Sequence, residues 1–327
     1  MSTQSLTLVE AINDALHQAM DADDDVLVFG EDVAAQGGVF RATQGLLDEY
    51  GEDRVVDSPL TEIGIVGAAV GLAMQGKRPV AEIQFSGFLP PAFNQLVQMA
   101  GRVRWRNRGK HSAPMVVRTP YGGGVRALEH HSESLEAAYA HVPGLKLVVP
   151  STPADANGML LSAIDDPDPV IFFEPKRVYR SFREDVPEAP EPIPLGEAAI
   201  RRSGTDITLL GWGSMIHYAL EAAENLEAEG IEAEVIDLRS ISPLDRETIV
   251  DSIKKTGRAV IVHEAPRSGG FAGELIATIN EEALLYLEAP IERVTGFDTP
   301  MPMLGKEDYY LPNPPRIEEA VKDVVTF

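Results

Sequence analysis

The chain contains no cysteine among its 327 residues. Disulfide bonds, zinc sites built on thiolates and cysteine nucleophiles are therefore excluded. Basic residues are also scarce, because 28 Lys and Arg stand against 51 Asp and Glu, which gives a formal net charge of −23. Since a protein needs a basic surface to bind the phosphates of nucleic acid, this balance argues against a nucleic-acid partner.

Long apolar runs are missing as well. No run reaches the roughly 18 residues that would span a bilayer, and the first residues, MSTQSLTLVE, have neither the basic region nor the apolar core of a secretory signal. We therefore expect no membrane association and a cytoplasmic location. The length and the hydrophobic content of 44% predict a globular protein of about two domains.

The acids are clustered, notably at residues 21–25 and 165–168. One interpretation is a well-solvated surface that keeps the protein in solution. The other is adaptation to high salt, where screening makes such a surface tolerable. The clustering slightly favours the second interpretation, and both stay open.

Apolar strand-like runs alternate with helix-like segments along the chain. Strands are predicted over residues 26–30, 79–83, 115–118, 145–149, 170–173, 207–211, 233–237, 259–262 and 291–294, with helices between them, among them 43–50, 63–74 and 91–105. This alternation predicts an α/β protein made of two doubly wound domains on parallel sheets. Residues 184–194 hold four prolines and four acids, the composition of a semi-rigid linker. We therefore predict domains over residues 1–183 and 201–327, joined by a Pro- and acid-rich linker over 184–200.

The most distinctive stretch is DSPLTEIGIVGAAVGLAM, residues 57–74. Pro59 ends a strand, Thr61 can cap a helix, and an apolar helix rich in Gly and Ala follows. Each glycine weakens such a helix by roughly 1 kcal/mol against Ala, which is tolerable where another backbone or a ligand packs close. Glu62 is the single carboxylate at the mouth of this helix. Spacing alone favours a first-turn Glu that the helix dipole stabilises, and the alternative is a desolvated proton-transfer group with a raised pKa.

Further candidates lie in two loops that follow predicted strands. Gln84, Phe85 and Phe88 come after the strand at 79–83, where core packing is the ordinary interpretation of the aromatic rings. His130 and His131 follow the glycine-rich loop at 121–125, and a histidine can donate or accept a proton near neutral pH. The loop itself lacks the Gly-Lys-Ser/Thr of a phosphate loop, and we expect it to be a flexible loop near the site.

The turn GWGSMI at residues 211–216 approaches a dinucleotide-binding fingerprint, and Asp237 ends the next predicted strand. However, Ile216 occupies the position of the third glycine, so the match is weak. It leaves a nicotinamide-dependent oxidoreductase open as a rival function.

The segment TEIGIVGAAVG at residues 61–71 resembles the helix start in the beta subunits of thiamin-diphosphate-dependent 2-oxoacid dehydrogenases, which belong to the transketolase-like superfamily. The resemblance covers nearly the whole chain and includes Gly-Glu-Asp at 30–32, His-Ser at 131–132 and Asp-Leu-Arg at 237–239. It implies an N-terminal pyrimidine-binding domain and a C-terminal transketolase-like domain. The implied reaction is decarboxylation of a 2-oxoacid on thiamin diphosphate, followed by reductive acylation of a lipoyl group on an acyltransferase core.

The same resemblance implies roles for individual residues. Glu62 would hydrogen-bond a ring nitrogen of the aminopyrimidine and act as a catalytic group. Phe85 would pack against the pyrimidine ring, with Gln84 and Phe88 also lining the cofactor. His131 would lie beside the reacting carbon and assist acyl transfer to the lipoyl arm.

The resemblance also implies a divided active site. The superfamily holds the diphosphate through magnesium with a Gly-Asp-Gly motif, which this chain does not contain. An alpha subunit would therefore supply magnesium and complete an alpha2beta2 heterotetramer. Some beta subunits also hold potassium through backbone carbonyls, and the matching positions are Met115, Ala163, Asp166 and Asp168. Pyruvate, branched-chain and acetoin-type substrates all stay open, as does a purely structural, non-catalytic subunit.

Overall fold

The structure is a computed structural model that describes residues 2–327. The strands are β1 (Thr3–Leu6), β2 (Val26–Gly30), β3 (Val55–Asp57), β4 (Arg78–Glu82), β5 (Val116–Tyr121), β6 (Lys146–Val148), β7 (Val170–Pro175), β8 (Glu184–Pro187), β9 (Ala199–Arg202), β10 (Ile207–Gly211), β11 (Ala233–Asp237), β12 (Ser240–Ser242), β13 (Ala259–Pro266) and β14 (Glu292–Gly296). The α-helices are α1 (Leu8–Ala22), α2 (Leu46–Tyr50), α3 (Glu62–Met74), α4 (Val103–Arg106), α5 (Glu136–Ala140), α6 (Pro153–Asp165), α7 (Met215–Glu227), α8 (Arg246–Thr256), α9 (Ala272–Ala283), α10 (Glu307–Tyr310) and α11 (Pro314–Val325). Within this part of the chain, no helix combines the length and the apolar character that crossing a bilayer requires.

The first half of the chain is organised on a seven-stranded sheet in the order β12-β6-β7-β5-β4-β2-β3. All neighbours are parallel except β12, which pairs antiparallel with β6. The buried faces of α1 and α6 pack on one side of the sheet, and α3 packs on the other. Apolar cover on both faces is what a parallel sheet needs, so the predicted doubly wound fold is confirmed here.

The second half repeats this plan on a five-stranded sheet in the order β14-β13-β10-β11-β9. The strands are parallel apart from β9, which pairs antiparallel with β11. Helices α7 and α11 cover one face, while α8 and α9 cover the other. The chain thus forms two doubly wound α/β units in succession, as the alternation of apolar segments predicts.

The two halves are joined more closely than a flexible linker would allow. One continuous hydrophobic cluster includes buried residues of both sheets, and β12 adds a strand from the second half to the first sheet. A buried ion-pair network crosses the same junction, where Arg239 and Arg201 both bind Asp155 and Arg201 also binds Asp237. The beginning of the predicted linker forms β8 and pairs with β1, so part of it is a sheet rather than an open tether.

Two predicted helices differ from the structure. Residues 91–105 form a broken succession of a 3₁₀ turn at Pro90–Ala92, a π-helix at Gln95–Met99, a 3₁₀ turn at Ala100–Arg102 and then α4. A π turn bonds each amide one residue further back than an α-helix does, which shifts the exposed and buried faces of the segment. The helix predicted over residues 43–50 begins only at Leu46, because Gly45 has a left-handed φ of 87°.

Candidate active site

The candidate residues gather where parallel strands β2, β3 and β4 end. Gly30 lies opposite Asp57 on one side and opposite Glu82 on the other, so the three strands end at the same level. The loops that follow them therefore leave from one edge of the sheet. This carboxyl edge is where open α/β sheets commonly bind ligands.

Glu62 is the first residue of α3, directly after the Thr61 cap, whose side-chain oxygen accepts a hydrogen bond from the Gly64 N–H at 3.3 Å. The capped start predicted from the sequence is confirmed. Glu62 is only half-buried, and its sequence neighbours Leu60 and Ile63 are 71% and 49% exposed. This chain alone therefore does not remove Glu62 from solvent in the way that the proton-transfer alternative expects.

Two further carboxylates accompany Glu62 at this edge. Burial and the neighbouring carboxylates of Asp32 and Glu62 raise the pKa of Glu31. Gln84 Nε2 donates a hydrogen bond to Asp32 Oδ2 at 3.2 Å, which ties the loop after β4 to the loop after β2. Glu31 was not predicted as a site residue from the sequence, although it belongs to the Gly-Glu-Asp motif at 30–32.

Phe85, Phe88 and His131 form one aromatic cluster. The ring centroids of Phe85 and His131 are 4.3 Å apart, those of Phe88 and His131 are 5.2 Å apart, and both contacts are edge-to-face. Phe40 adds a further edge contact to Phe85 at 5.6 Å. The cluster brings together residues that are more than forty positions apart in the sequence and offers apolar ring faces that a flat, weakly polar heterocycle could pack against.

The structure distinguishes the two neighbouring histidines. His130 is 65% exposed when its side chain is considered, and its Nδ1 lies 3.6 Å from Glu133. His131 packs on the two phenylalanines, and its Nδ1 is buried without a hydrogen-bond partner among residues 2–327. A buried ring nitrogen without a partner is unusual, because buried polar atoms are normally satisfied. His131 is thus the histidine that has an unmet hydrogen-bonding requirement at the site.

Gly87 explains how the histidine segment can lie so close to the aromatic loop. A Cβ at Gly87 would stand 2.0 Å from the His130 carbonyl oxygen, so no larger residue fits there. Ser86 Oγ donates to the Glu133 carbonyl at 2.6 Å and fixes the other end of the same contact. The position of His131 is therefore set by backbone packing as well as by its ring.

The glycine-rich loop at 121–125 is held firmly, contrary to the expectation of a flexible loop. The Gly123 N–H donates to Glu264 Oε2 at 2.7 Å, and the Gly124 N–H donates to Glu307 Oε1 at 2.5 Å. Lys176 Nζ also donates to the Gly122 carbonyl. Two carboxylates of the second half thus hold the loop that leads to the histidines.

Lys176 contacts both the glycine-rich loop and the aromatic cluster. Its Nζ lies 6.0 Å from the Phe85 ring centroid, and burial lowers its pKa to about 8 although the carboxylates of Glu264 and Glu307 oppose that shift. Burial likewise raises the pKa of Glu264. Lys176, Glu264 and Glu307 were not predicted as site residues, and the signal in the sequence was a glutamate, Glu264, inside the apolar strand β13.

The positions predicted for potassium are brought together only in part. Asp166 and Asp168 share a tight loop in which the Asp168 N–H donates to Asp166 Oδ1 at 2.9 Å, and the Met115 carbonyl accepts from the Val170 N–H where the next strand begins. Both carboxylates already have protein cations, because Lys146 binds Asp166 and Arg104 binds Asp168. Ala163 lies buried in the last turn of α6. A potassium site here would therefore rest on backbone carbonyls, and it stays a prediction.

The turn that approaches a dinucleotide fingerprint has no room for a nucleotide. Asp237, the residue that would bind a ribose, is fully buried and accepts hydrogen bonds from Arg201 and Ser151. Gly213 faces the first half of the chain, where a Cβ would stand 3.0 Å from Val149 and 3.2 Å from the Tyr121 hydroxyl. The nicotinamide alternative therefore loses its structural basis.

Comparison with known proteins agrees with this arrangement. Residues 4–181 match the family described as the transketolase pyrimidine-binding domain, and residues 196–317 match the transketolase C-terminal domain. Among solved structures, a split-gene transketolase in an inactive beta4 tetramer matches with a TM-score of 0.79 and 24% identity over 99% of both chains. A transketolase variant from Pichia stipitis matches with a TM-score of 0.70 and 13% identity over 99% of this chain and 46% of that one. At these identities the two structures establish the fold alone.

Curated relatives are much more similar. The pyruvate dehydrogenase E1 component subunit beta of Acholeplasma laidlawii is 52% identical over 97% of both chains. The corresponding subunit of Bacillus subtilis is 49% identical over 98% of this chain and 99% of its own. The chain therefore belongs to the pyruvate dehydrogenase E1 beta-subunit family of 2-oxoacid dehydrogenases.

Proposed function

We propose that this chain supplies the aminopyrimidine half of a thiamin diphosphate site in a 2-oxoacid dehydrogenase, and that an alpha subunit supplies the other half. The carrying observation is that Glu62 and the cluster of Phe85, Phe88 and His131 lie at the same sheet edge, which this chain leaves open. Thiamin diphosphate is the cofactor that the transketolase-like family implies. The name of the relatives, subunit beta, implies an alpha partner.

The residues of the site suit that cofactor. Bound thiamin diphosphate supplies a nucleophilic carbon and an electron sink for decarboxylation. The rings of Phe85 and Phe88 provide apolar surface for the pyrimidine, and Glu62 provides a carboxylate that can exchange a proton with a ring nitrogen. His131 provides an imidazole ring that can donate or accept a proton beside them. The hydrogen bond from Gln84 to Asp32 links the loop after β4 to the loop after β2.

Helix α3 supports a partner over this edge. Apart from Glu62 it has no charged or polar side chain, and a helix that is apolar all round is normally buried. Five of its residues are nevertheless exposed: Ile63, Gly64, Ala68, Gly71 and Met74. Three of the five are Gly or Ala, so another backbone can approach closely. We infer that the alpha subunit covers this face and completes the burial of Glu62.

Gly71→Leu is expected to weaken binding of the alpha subunit about tenfold or more, a loss of about 1.4 kcal/mol. A Cβ at Gly71 meets no atom within 4 Å, and Leu is a better helix former than Gly, so the lone chain should melt no lower than the wild type. Isothermal titration calorimetry and melting curves measure the two effects. Ala228→Leu, at an exposed position just after α7, is the matched control. Unchanged affinity in Gly71→Leu would contradict an interface on α3.

The division of each active site between two subunits also bears on the quaternary structure. We propose an alpha2beta2 heterotetramer in which two copies of this chain pair through their second halves, whose surface exposes Leu285 to 96% and also Leu284 and Tyr286. The acidic surface of that half would bind a basic module of the lipoyl acyltransferase core, and salt should weaken this contact. Magnesium would be held by the alpha subunit. Light scattering on the chain alone and with its partner decides the stoichiometry.

Pyruvate is the first substrate to test, because the relatives at 49–52% identity are pyruvate dehydrogenase subunits. The experiment is co-expression with a neighbouring gene for a Gly-Asp-Gly chain, followed by decarboxylation assays with pyruvate and branched-chain 2-oxoacids and by an assay of carbon–carbon bond cleavage with acetoin. We expect activity only from the two chains together. Tight, magnesium-dependent binding of thiamin diphosphate by the lone chain would overturn the divided site.

Potassium is expected to raise the melting temperature of the chain relative to tetramethylammonium at matched ionic strength. Backbone carbonyls around Met115, Ala163, Asp166 and Asp168 would bind the smaller cation, and a ligand that binds only the folded state stabilises it. Differential scanning calorimetry in the two buffers measures the shift. Identical melting curves would count against the site.

A further inference from the structure

A basic groove lies on the side of the first sheet away from the candidate active site. Its volume is about 1260 Å³, and its lining includes Gly101, Arg104, Trp105, Arg106, Arg108 and Gly144. The lining loops come just before β5 and β6, at the amino ends of the parallel strands. The site residues follow the carboxyl ends, so an occupant of this basic groove would not compete with the cofactor.

The charge of the basic groove is opposite to that of the protein. The chain has no Asp or Glu between Glu82 and Glu129, although acids outnumber bases 51 to 28 overall. Within this stretch the cations alternate along residues 102–110. Arg104 is paired with Asp168, but the lining residues Arg106 and Arg108 have no ion pair among residues 2–327, and neither have their sequence neighbours Arg102 and Lys110. An acidic protein has thus gathered unpaired cations in one place.

Trp105 stands in the middle of these cations and is 86% exposed. Trp and Arg are the residues that most often dominate the energy of protein interfaces. The floor beneath them is tightly packed, because a Cβ at Gly144 would stand 2.0 Å from the Gly101 carbonyl oxygen. The basic groove is therefore preformed and presents an aromatic anchor inside a positive rim.

The size and the position of the basic groove indicate its occupant. Its volume exceeds the roughly 300–1,000 Å³ of small-molecule sites, which favours a polypeptide segment. Residues 90–99, which lead directly into the basic groove, expose Phe93 and Met99 and pack along α3. The groove is thus continuous with the helix face assigned above to the alpha subunit. We propose that the basic groove binds an acidic segment of the alpha subunit that bears an apolar side chain for Trp105, an inference that rests on the proposed function.

The test compares two double charge reversals in the reconstituted enzyme. Arg106→Glu with Arg108→Glu is expected to weaken alpha-subunit binding about tenfold or more at about 0.1 M salt. The difference from wild type should shrink at about 1 M salt, where the Debye length falls from about 10 Å to about 3 Å. Lys254→Glu with Lys322→Glu makes the same change in net charge on α8 and α11 and should leave alpha binding unchanged. Melting curves verify that both variants are folded.

The outcomes separate the two proposals. If the wild-type chain does not bind the alpha subunit at all, the proposed function fails. If the wild type binds and the Arg106 and Arg108 reversal binds equally well, only the groove proposal fails. A photo-reactive benzoylphenylalanine in place of Trp105 then identifies the occupant in the assembled enzyme. A cross-link to an acidic stretch of the alpha subunit supports the proposal, whereas a cross-link to a second copy of this chain, to the acyltransferase or to neither overturns it.

Discussion

Replacing Glu62 with Gln is expected to lower decarboxylation by the assembled enzyme about 10²-fold or more, the usual scale for a proton-transfer group. Gln keeps the size and the hydrogen-bonding capacity of the side chain but cannot exchange the proton. Because Glu62 is half-buried and makes no ion pair among residues 2–327, the fold and the binding of the alpha subunit should stay intact. Decarboxylation with an artificial electron acceptor measures the loss.

A second glutamate provides the matched control. Glu10 also lies in the first turn of a helix, where its Oε2 accepts a hydrogen bond from the Thr7 N–H at 2.8 Å. Glu10→Gln should cost stability through the cap and the helix dipole, on the order of 0.5–1 kcal/mol, without changing turnover. If Glu62→Gln behaves in the same way, with near-normal turnover, Glu62 is a helix-stabilising residue only. Full activity after Glu62→Ala would favour a structural subunit.

The fold was predictable where the signal is local. Apolar runs such as β2, β10 and β11 are confirmed at the predicted residues because each is buried on both faces of a parallel sheet. The edge strands β1 and β8 were not predictable, since both are short and partly exposed and find their partner some 180 residues away. The same holds for β12, three residues that leave the second half to extend the first sheet.

The candidate site shows the same limit. Glu62 and His131 were recognisable from motifs, but nothing local predicts that His131 lies against Phe85, because that contact depends on Gly87 letting two backbones touch. The hydrogen bond between Glu264 and the glycine-rich loop joins residues that are even farther apart in the sequence, by 141 positions. A buried glutamate in an apolar strand was visible in the sequence, yet its partner was not.

His131→Ala is expected to lower reductive acylation of the lipoyl group about 10²-fold, and to lower decarboxylation much less. The His131 ring packs against Phe85 and Phe88, and an imidazole held there can exchange the proton that acyl transfer requires. Decarboxylation measured with an artificial acceptor bypasses the lipoyl group. Running both assays on one preparation therefore separates the two steps.

Two companion variants test whether the proton or the packing of His131 matters. His131→Phe keeps an aromatic ring between Phe85 and Phe88 but cannot exchange a proton, so it should be as defective in acylation as His131→Ala. If His131→Phe acylates normally, the ring serves only to pack the cluster. Equal losses in both assays would also mean a structural role. His130→Ala, at the exposed neighbour, should leave both steps near wild type. A loss of acylation confined to that variant would instead assign the role to His130, because only a side chain that reaches the reacting carbon can affect acylation without affecting decarboxylation.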